Sequence, residues 1–427
     1  MTLSKLHDLL NLLTNAVTQL EEACTKNGTS IPDLDKPFNT SSEDFRKDPT
    51  AALAANIIGA AALHICAIIN PPQISLFDIA SGTQKSAAFR ICLESNVAEI
   101  LQEAGPQNTS GLAALLSFQL DEASKALAHM WEVFSDPTTV KSNEPSQSAF
   151  TKFVGRGKTL WEYYDDPEQD FRRHRFNIGM HGVQRFQPEN IILSSEFAIN
   201  VLINDYLFRY DPVYDWKAVP AGSALVDVGG GVGTTQLCLA KEFPQLKIII
   251  QDRSHVWREK DPDALESGRV SFEAQDFFEP QPQRDVSFFF LKQILHDWPD
   301  EYCIKILTQL RKAASPNTKL LSMDTVIQHA CHDNSDFTGV INGAMPDEAP
   351  FPLLANWGAV NPMGYRADMI MLAFFNSRER TLRDAISLFE KSGWRLTERC
   401  LEAPDPLRGV QCQVKAHWRY NCGQTYM

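Results

Sequence analysis

Leu225 to Thr235 reads LVDVGGGVGTT, an apolar strand running into a glycine cluster and then into a helical pattern. Glycines let the backbone approach a ligand that any Cβ would push away, and the helix N-terminus that follows adds free N–H groups. The spacing narrows the ligand. A dinucleotide turn is G-x-G-x-x-G, but here Gly229 and Gly231 are followed by Gly233, and Thr234 stands where the third glycine would be. Asp227, at the strand end, would repel a pyrophosphate and attract a cation. A ligand with a cationic end fits, and S-adenosylmethionine carries both an ammonium and a sulfonium. The plain alternative is an ordinary strand-turn-helix in some other α/β protein.

Acids recur at the ends of the next strands. The segment KIIIQD ends on Asp252, 23 residues beyond Gly229, where a carboxylate can accept both hydroxyls of a ribose. The following strand runs out into Asp276 and Phe277, which suit an adenine amino group and the face of its ring. Any one of these acids could be a solvated loop carboxylate, but three at successive strand ends point to one binding crevice. The fourth strand ends in LKQILHDWPD, Leu291 to Asp300. A lone histidine is usually structural. His296 at a strand's carboxyl end beside such a crevice reads as a general base.

Together VDVGGGVG, LHDWPDE and RERT resemble the plant and fungal S-adenosylmethionine-dependent O-methyltransferases of the caffeic-acid type, over about residues 90–414. The long segment containing NWGAVNPMGY is similar to fungal members in particular. The resemblance implies a phenolic or related aromatic acceptor and direct in-line methyl transfer, with His296 taking the acceptor's proton as a neutral imidazole. Two acids orient that ring in the family, and they map onto Asp324 and Glu379. Aspartate replaces the more frequent glutamate at the first position and shortens its reach by a methylene. A strand-end cap is the plain reading of Asp324, and a first-turn helix acid that of Glu379. Lys292 matches the family's cofactor-side lysine near adenine. Phe176, Asn177 and Met180 in RFNIGMHG match acceptor and methyl-donor contacts, Asp297 is expected on the acceptor side, and Met371 and Phe375 would add apolar walls. At helical spacing the same residues could be plain core. No metal is implied, because the histidine takes the role that magnesium plays in the other large group of small-molecule O-methyltransferases.

The elements that must position these residues follow from the pattern. A chain of 427 residues exceeds what one core usually serves. Up to about residue 213 it reads as mostly helical, with segments near 51–70, 76–103, 110–135 and 188–208. The strip Arg90–Gln107 resembles the entry to a winged helix, and Ser135–Ser148 reads as a loop or wing. From Ser223 strands and helices alternate, which predicts a doubly wound parallel α/β sheet of the class I Rossmann-like methyltransferase type, closed by a C-terminal pair with one strand antiparallel. The expected division is a helical dimerisation and winged-helix domain over 1–213 and a catalytic domain over 214–427. A Gly-, Pro- and Asn-rich insertion over 328–362 reads as a lid or substrate wall.

Composition limits the partners. A net charge of −13 disfavours nucleic acid and anionic membranes, so small-molecule chemistry is expected, with a homodimer formed through the N-terminal helices. Nine scattered cysteines without C-x-x-C spacing read as reduced thiols of a cytoplasmic protein. The N-terminus reads as an amphipathic helix and no signal peptide is recognised, so the N-x-S/T triplets at Asn27, Asn39 and Asn108 are taken as chance. The apolar run Ala51–Ile69 raises the question of a membrane span, but its alanines, Asn56, His64 and terminal Pro71-Pro72 favour a core or dimer helix. Two other functions share the pattern. One is a pericyclase that holds S-adenosylmethionine as a fixed charge, against which an intact His296 with two acids counts. The other is a non-catalytic regulator, against which the intact glycines and acidic charge count.

Overall fold

The computed structural model describes residues 3–32, 40–70, 117–155, 157–186, 216–253, 268–331, 348–358, 363–401 and 411–418, with isolated positions 72, 79 and 82. The Arg90–Gln107 strip, the helix expected over 188–208 and residues 332–347 and 359–362 of the insertion lie outside the described residues.

Seven described strands form one sheet: β1 (Ala224–Val228), β2 (Lys247–Asp252), β3 (Val270–Ala274), β4 (Phe288–Lys292), β5 (Lys319–Thr325), β6 (Trp394–Leu401) and β7 (Gln411–Trp418), in the order β3-β2-β1-β4-β5-β7-β6. The first five pair in parallel, while β7 runs antiparallel to both β5 and β6. The sheet is read off near-continuous apolar runs because both faces are covered. Alternation then sorts neighbours to opposite faces. Val226, Phe289, Leu291 and Leu320 enter one core cluster, and Leu225, Phe288, Phe290, Leu321 and Met323 enter the other. Strand order reverses between β1 and β4, so their carboxyl ends border a crevice at the switch point. The glycine turn and His296 follow those two strands.

The N-terminal helices α1 (Leu3–Asn27) and α2 (Pro49–Ile69) pack on each other through Leu9, Ala16, Ala54, Ile57 and Ala61. Helix α2 begins where it does because Pro49 suits a first helical turn and the Asp48 carboxylate accepts the Ala51 N–H at 2.9 Å. Asn27, ending α1, donates to the same carboxylate at 2.9 Å. By length and composition α2 could cross a membrane, with 33% of its most apolar window buried within the chain.

The helices α3 (Ser124–Ala128), α4 (Met130–Ser135), α5 (Ala149–Val154), α6 (Leu160–Tyr164) and α7 (Asp170–Phe186) build an aromatic core that also takes in α10 (Met363–Phe375). Phe150 and Phe374 stack at 5.0 Å between centroids. Ser135–Ser148 is turn and loop, with a short 3-10 turn at Pro145–Gln147. Ala349, Leu353 and Trp357 of the insertion pack against α1 and α2. Both of these helical cores therefore draw residues from both sides of position 213.

On the sheet, α8 (Thr234–Glu242) follows the glycine turn, α9 (Asp300–Ala313) carries Asp300 and Glu301 in its first turn, and α11 (Leu382–Lys391) starts in a capping box between Thr381 and Asp384. Trp394 opens β6 fully buried, and its indole N–H donates to the Leu307 carbonyl of α9 at 3.0 Å. Replacing Trp394 by Ala removes both the buried ring and that hydrogen bond. The expected cost is about 3–5 kcal/mol of stability, read as a lower midpoint in urea unfolding with an unchanged slope.

Candidate active site

The glycine turn is built as its sequence implies. Gly229, Gly231 and Gly233 all have positive φ, at 74°, 57° and 79°. Gly229 and Gly230 donate to the Gln251 carbonyl at 2.8 and 3.0 Å, pinning the turn to the end of β2. A Cβ on Gly229 would lie 2.6 Å from Ile294 Cδ1, and one on Gly230 would overlap the Asp227 carboxylate. Gly230 is a site residue that the G-x-G-x-G spacing alone does not mark. Its signal was the unbroken glycine run: the middle position needs no special φ but has no space for a side chain.

Asp227 is 2% exposed. Burial pushes its carboxyl up to about 8, with Lys292 pulling it down and Asp252 pushing it further up. Ionising Asp227 therefore costs stability as pH rises from about 4 to about 8. Lys292 Nζ donates to Thr235 Oγ1 at 3.0 Å, so it stands over the start of α8 beside Asp227 rather than out toward β3. Asp252 accepts the Gly231 N–H at 2.8 Å and the Arg253 N–H at 2.7 Å, closing the turn from the β2 side. Asp276 is exposed and accepts the Phe278 N–H at 2.9 Å. Phe277 lies edge-on to Phe278 and Trp298 and borders the space a Gly229 side chain would fill.

The histidine stands in a short 3-10 turn, Leu295–Asp297, entered through Gln293, whose φ is 52° and whose N–H donates to the Met323 carbonyl at 2.8 Å. His296 Nδ1 is 2.9 Å from Glu379 Oε1, and Nε2 is 3.5 Å from Asp297 Oδ1. Glu379 is itself 2% exposed, and its backbone N–H donates to Asp368 of α10 at 2.8 Å. Asp324 makes no hydrogen bond to the ring. One of its oxygens accepts Ser322 Oγ at 2.6 Å and the other is buried without a partner, so its influence on His296 is through charge alone. The shorter aspartate arm accounts for that difference from the expected pair of orienting acids.

The charge balance also departs from the expected neutral imidazole. Burial pulls His296 down, but Glu379, Asp297 and Asp324 outweigh it and hold the ring up at about 10. Asp297 is pushed up to about 7 by burial, against the pull of His296. One cation thus serves three carboxylates. Because the histidine's folded value lies above 6.5, this contribution to stability is complete below about pH 6.5 and is lost as pH rises toward 10.

The acceptor-side residues divide. Phe176, Met371 and Phe375 join one aromatic cluster in which Phe375, 4% exposed, stacks on Trp161 at 5.6 Å and Phe176 meets Tyr164 at 5.3 Å. Phe375 is core. Asn177 and Met180 lie half-buried on α7. A cavity of about 500 Å³ opens on α10 at Tyr365, Arg366, Met369 and Ile370, facing Gln119 and Leu127, with Gly358 at its edge. It adjoins Met371 in sequence without being lined by it. The Tyr365 hydroxyl donates to the Gln328 carbonyl at 2.5 Å, four residues beyond Asp324.

Residues 213–347 match the O-methyltransferase domain family. The 4-O-methyltransferase 1 of Phanerochaete chrysosporium is 36% identical over 92% of this chain and 95% of its own length. This chain belongs to the O-methyltransferase family. Among solved structures, a pericyclic reaction enzyme matches at a TM-score of 0.62 and 14% identity, covering 96% of this chain and all of that one. The mitomycin 7-O-methyltransferase MmcR matches at 0.56 and 19%, covering 81% and 98%. At those identities both speak for the fold alone, whereas the Phanerochaete relative extends the match to nearly the whole sequence.

The O-methyltransferase uses S-adenosylmethionine, and its residues fit that cofactor. The glycine turn leaves a cradle that side chains would fill, Asp227 is a buried acid lacking a full counter-charge, and Asp252 sets a carboxylate, the group that accepts from ribose hydroxyls, at the end of β2. An ammonium beside Asp227 would return its pKa toward the ordinary range. Binding of S-adenosylhomocysteine near pH 7 is therefore expected to release close to one proton, measured by calorimetry in buffers of different ionisation enthalpy. Asp227→Asn should abolish that release, and an equal release from the variant would contradict the assignment. Gly230→Ala should lose cofactor binding.

Proposed function

We propose that this enzyme methylates a hydroxyl of a phenolic or related aromatic small molecule, with His296 as the general base. The observation that carries the reading is the ring's setting: Nδ1 faces the buried Glu379 carboxylate at 2.9 Å, so the proton stays on Nδ1 and it is Nε2 that gains a lone pair when the imidazolium discharges. Bound S-adenosylmethionine supplies an electrophilic methyl group.

Carboxylates that raise the imidazole to about 10 also make it a stronger base. A phenol titrates near 10, so transfer of its proton to Nε2 is close to balanced in free energy. Three carboxylates at the reacting centre disfavour an acceptor that brings a further negative charge there. Asp297, whose Oδ1 lies 3.5 Å from Nε2, is the acid on the side from which an acceptor hydroxyl would reach the base. An aromatic acceptor is supported by the cavity beside α10, whose volume suits a small aromatic molecule, and transfer to an oxygen by the name of the Phanerochaete relative, a 4-O-methyltransferase.

We further propose that the protein is a homodimer, joined through α1 and α2, where Leu10, Leu53, Leu63 and Ile69 are exposed. A reducing, cytoplasmic setting is consistent with the free thiols of Cys24, Cys66, Cys238, Cys303 and Cys331.

The test is release of S-adenosylhomocysteine from a panel of phenols by the wild type and by His296→Ala. Loss of a general base is expected to lower kcat by about 10²–10⁴-fold with cofactor affinity retained. Turnover that survives the substitution would remove His296 from the chemistry.

A further inference from the structure

The residue after Glu379 makes more polar contacts around the histidine turn than any group assigned to the reaction. Arg380 is 6% exposed. Its Nη1 donates to the Leu295 carbonyl at 2.6 Å and its Nη2 to the Trp298 carbonyl at 2.8 Å, the two carbonyls that bracket His296 and Asp297. Nε and Nη2 also donate to Asp300 Oδ1 at 3.0 and 2.8 Å, at the start of α9. Nη2 lies 3.4 Å from Cys303 Sγ, and that thiol donates in turn to the same Leu295 and Trp298 carbonyls at 3.1 Å each. The Arg380 backbone bridges to Val326 just beyond β5, its carbonyl accepting the Ile327 N–H at 3.1 Å.

We propose that Arg380 is a positioning residue for methyl transfer: its guanidinium holds the 295–298 turn so that His296 stays seated on the Glu379 carboxylate carried by the adjacent residue. Consecutive residues then set the two degrees of freedom of the base. Glu379 fixes the ring's rotation and Arg380 fixes the backbone from which the ring projects. A planar fork is required, because one group must reach two carbonyls and a carboxylate from one buried point, which an ammonium of the same charge cannot do. The charged groups facing the imidazole are Glu379, Asp297 and Asp324, with Arg380 itself beyond them. Loosening the turn weakens the nearest of these contacts.

The inference rests on His296 being the base, and its test separates the two. Arg380→Lys keeps the charge and removes the fork. With a saturating phenol, kcat is expected to fall about tenfold to a hundredfold, the scale for a catalytic group displaced by up to an ångström. S-adenosylhomocysteine affinity should be unchanged. In ¹³C-imidazole titrations of the protein with S-adenosylhomocysteine, the His296 resonance, identified by its loss in His296→Gln, should titrate at lower pH than in the wild type. Asp300→Asn, at a partly exposed position that leaves the guanidinium in place, should show the same signature in smaller measure. It also serves if the lysine variant does not fold. An unshifted His296 titration in a folded variant, or a loss of kcat matched by a loss of cofactor affinity, overturns the positioning role. A wild-type kcat in His296→Gln would instead overturn the base assignment, and the titration shift would still report on Arg380.

Discussion

One imidazole enclosed by three carboxylates is the constraint around which this site is arranged. Burial strips the charges of water, so each carboxylate near His296 acts across a low-dielectric gap and favours the imidazolium. Glu379 does so by direct hydrogen bond, Asp297 at 3.5 Å and Asp324 through space. The result is a base far stronger than a free imidazole, but protonated over much of the pH range. In the proposed reaction that suits an acceptor as reluctant to lose its proton as a phenol, and it ties the rate to whatever discharges the ring.

The fold delivers these groups from separate stretches of chain. His296 and Asp297 follow β4, Asp324 ends β5, and Glu379 and Arg380 form the link from α10 to α11. The glycine turn follows β1, the immediate neighbour of β4, so the turn and His296 flank the point where strand order reverses. Helix α10 joins the two halves of the problem. Its Asp368 accepts the Glu379 N–H, its Tyr365, Met369 and Ile370 line the cavity, and its Phe374 and Phe375 enter the helical core. The cavity's lining and the support of the Glu379 backbone are thus carried by one helix.

Much of this was legible in the chain because the signals were local. Three strand-end segments, VDVGGGVG, KIIIQD and LHDWPD, carry both the apolar run that makes a strand and the polar residues left at its carboxyl end. Apolar strand runs alternating with helical segments from Ser223 onward predict the sheet. What was not legible was relational. Asp324 and Glu379 read as an equivalent pair, but a methylene and the Ser322 hydroxyl separate one from the ring while the other touches it. Phe375 and Met371 carried the helical period of a pocket wall and of a core alike, and only packing against Trp161 distinguishes them for Phe375. The ring's protonation depends on carboxylates brought together from three separate stretches of chain. Arg380 stood inside the quoted RERT motif, but its role comes from carbonyls about eighty residues earlier in the chain.

The most direct measurement of the account is the pH dependence of single-turnover methyl transfer to a phenol of ordinary acidity, for wild type and Glu379→Gln. The wild-type rate is expected to rise with pH along a limb well above 6.5, the ordinary imidazole value, toward the region of 10 where His296 is held. Removing the Glu379 charge should move that limb to lower pH and reduce the plateau as the ring loses its anchor. A limb at or below 6.5 in the wild type, or one that Glu379→Gln leaves in place, would contradict the account.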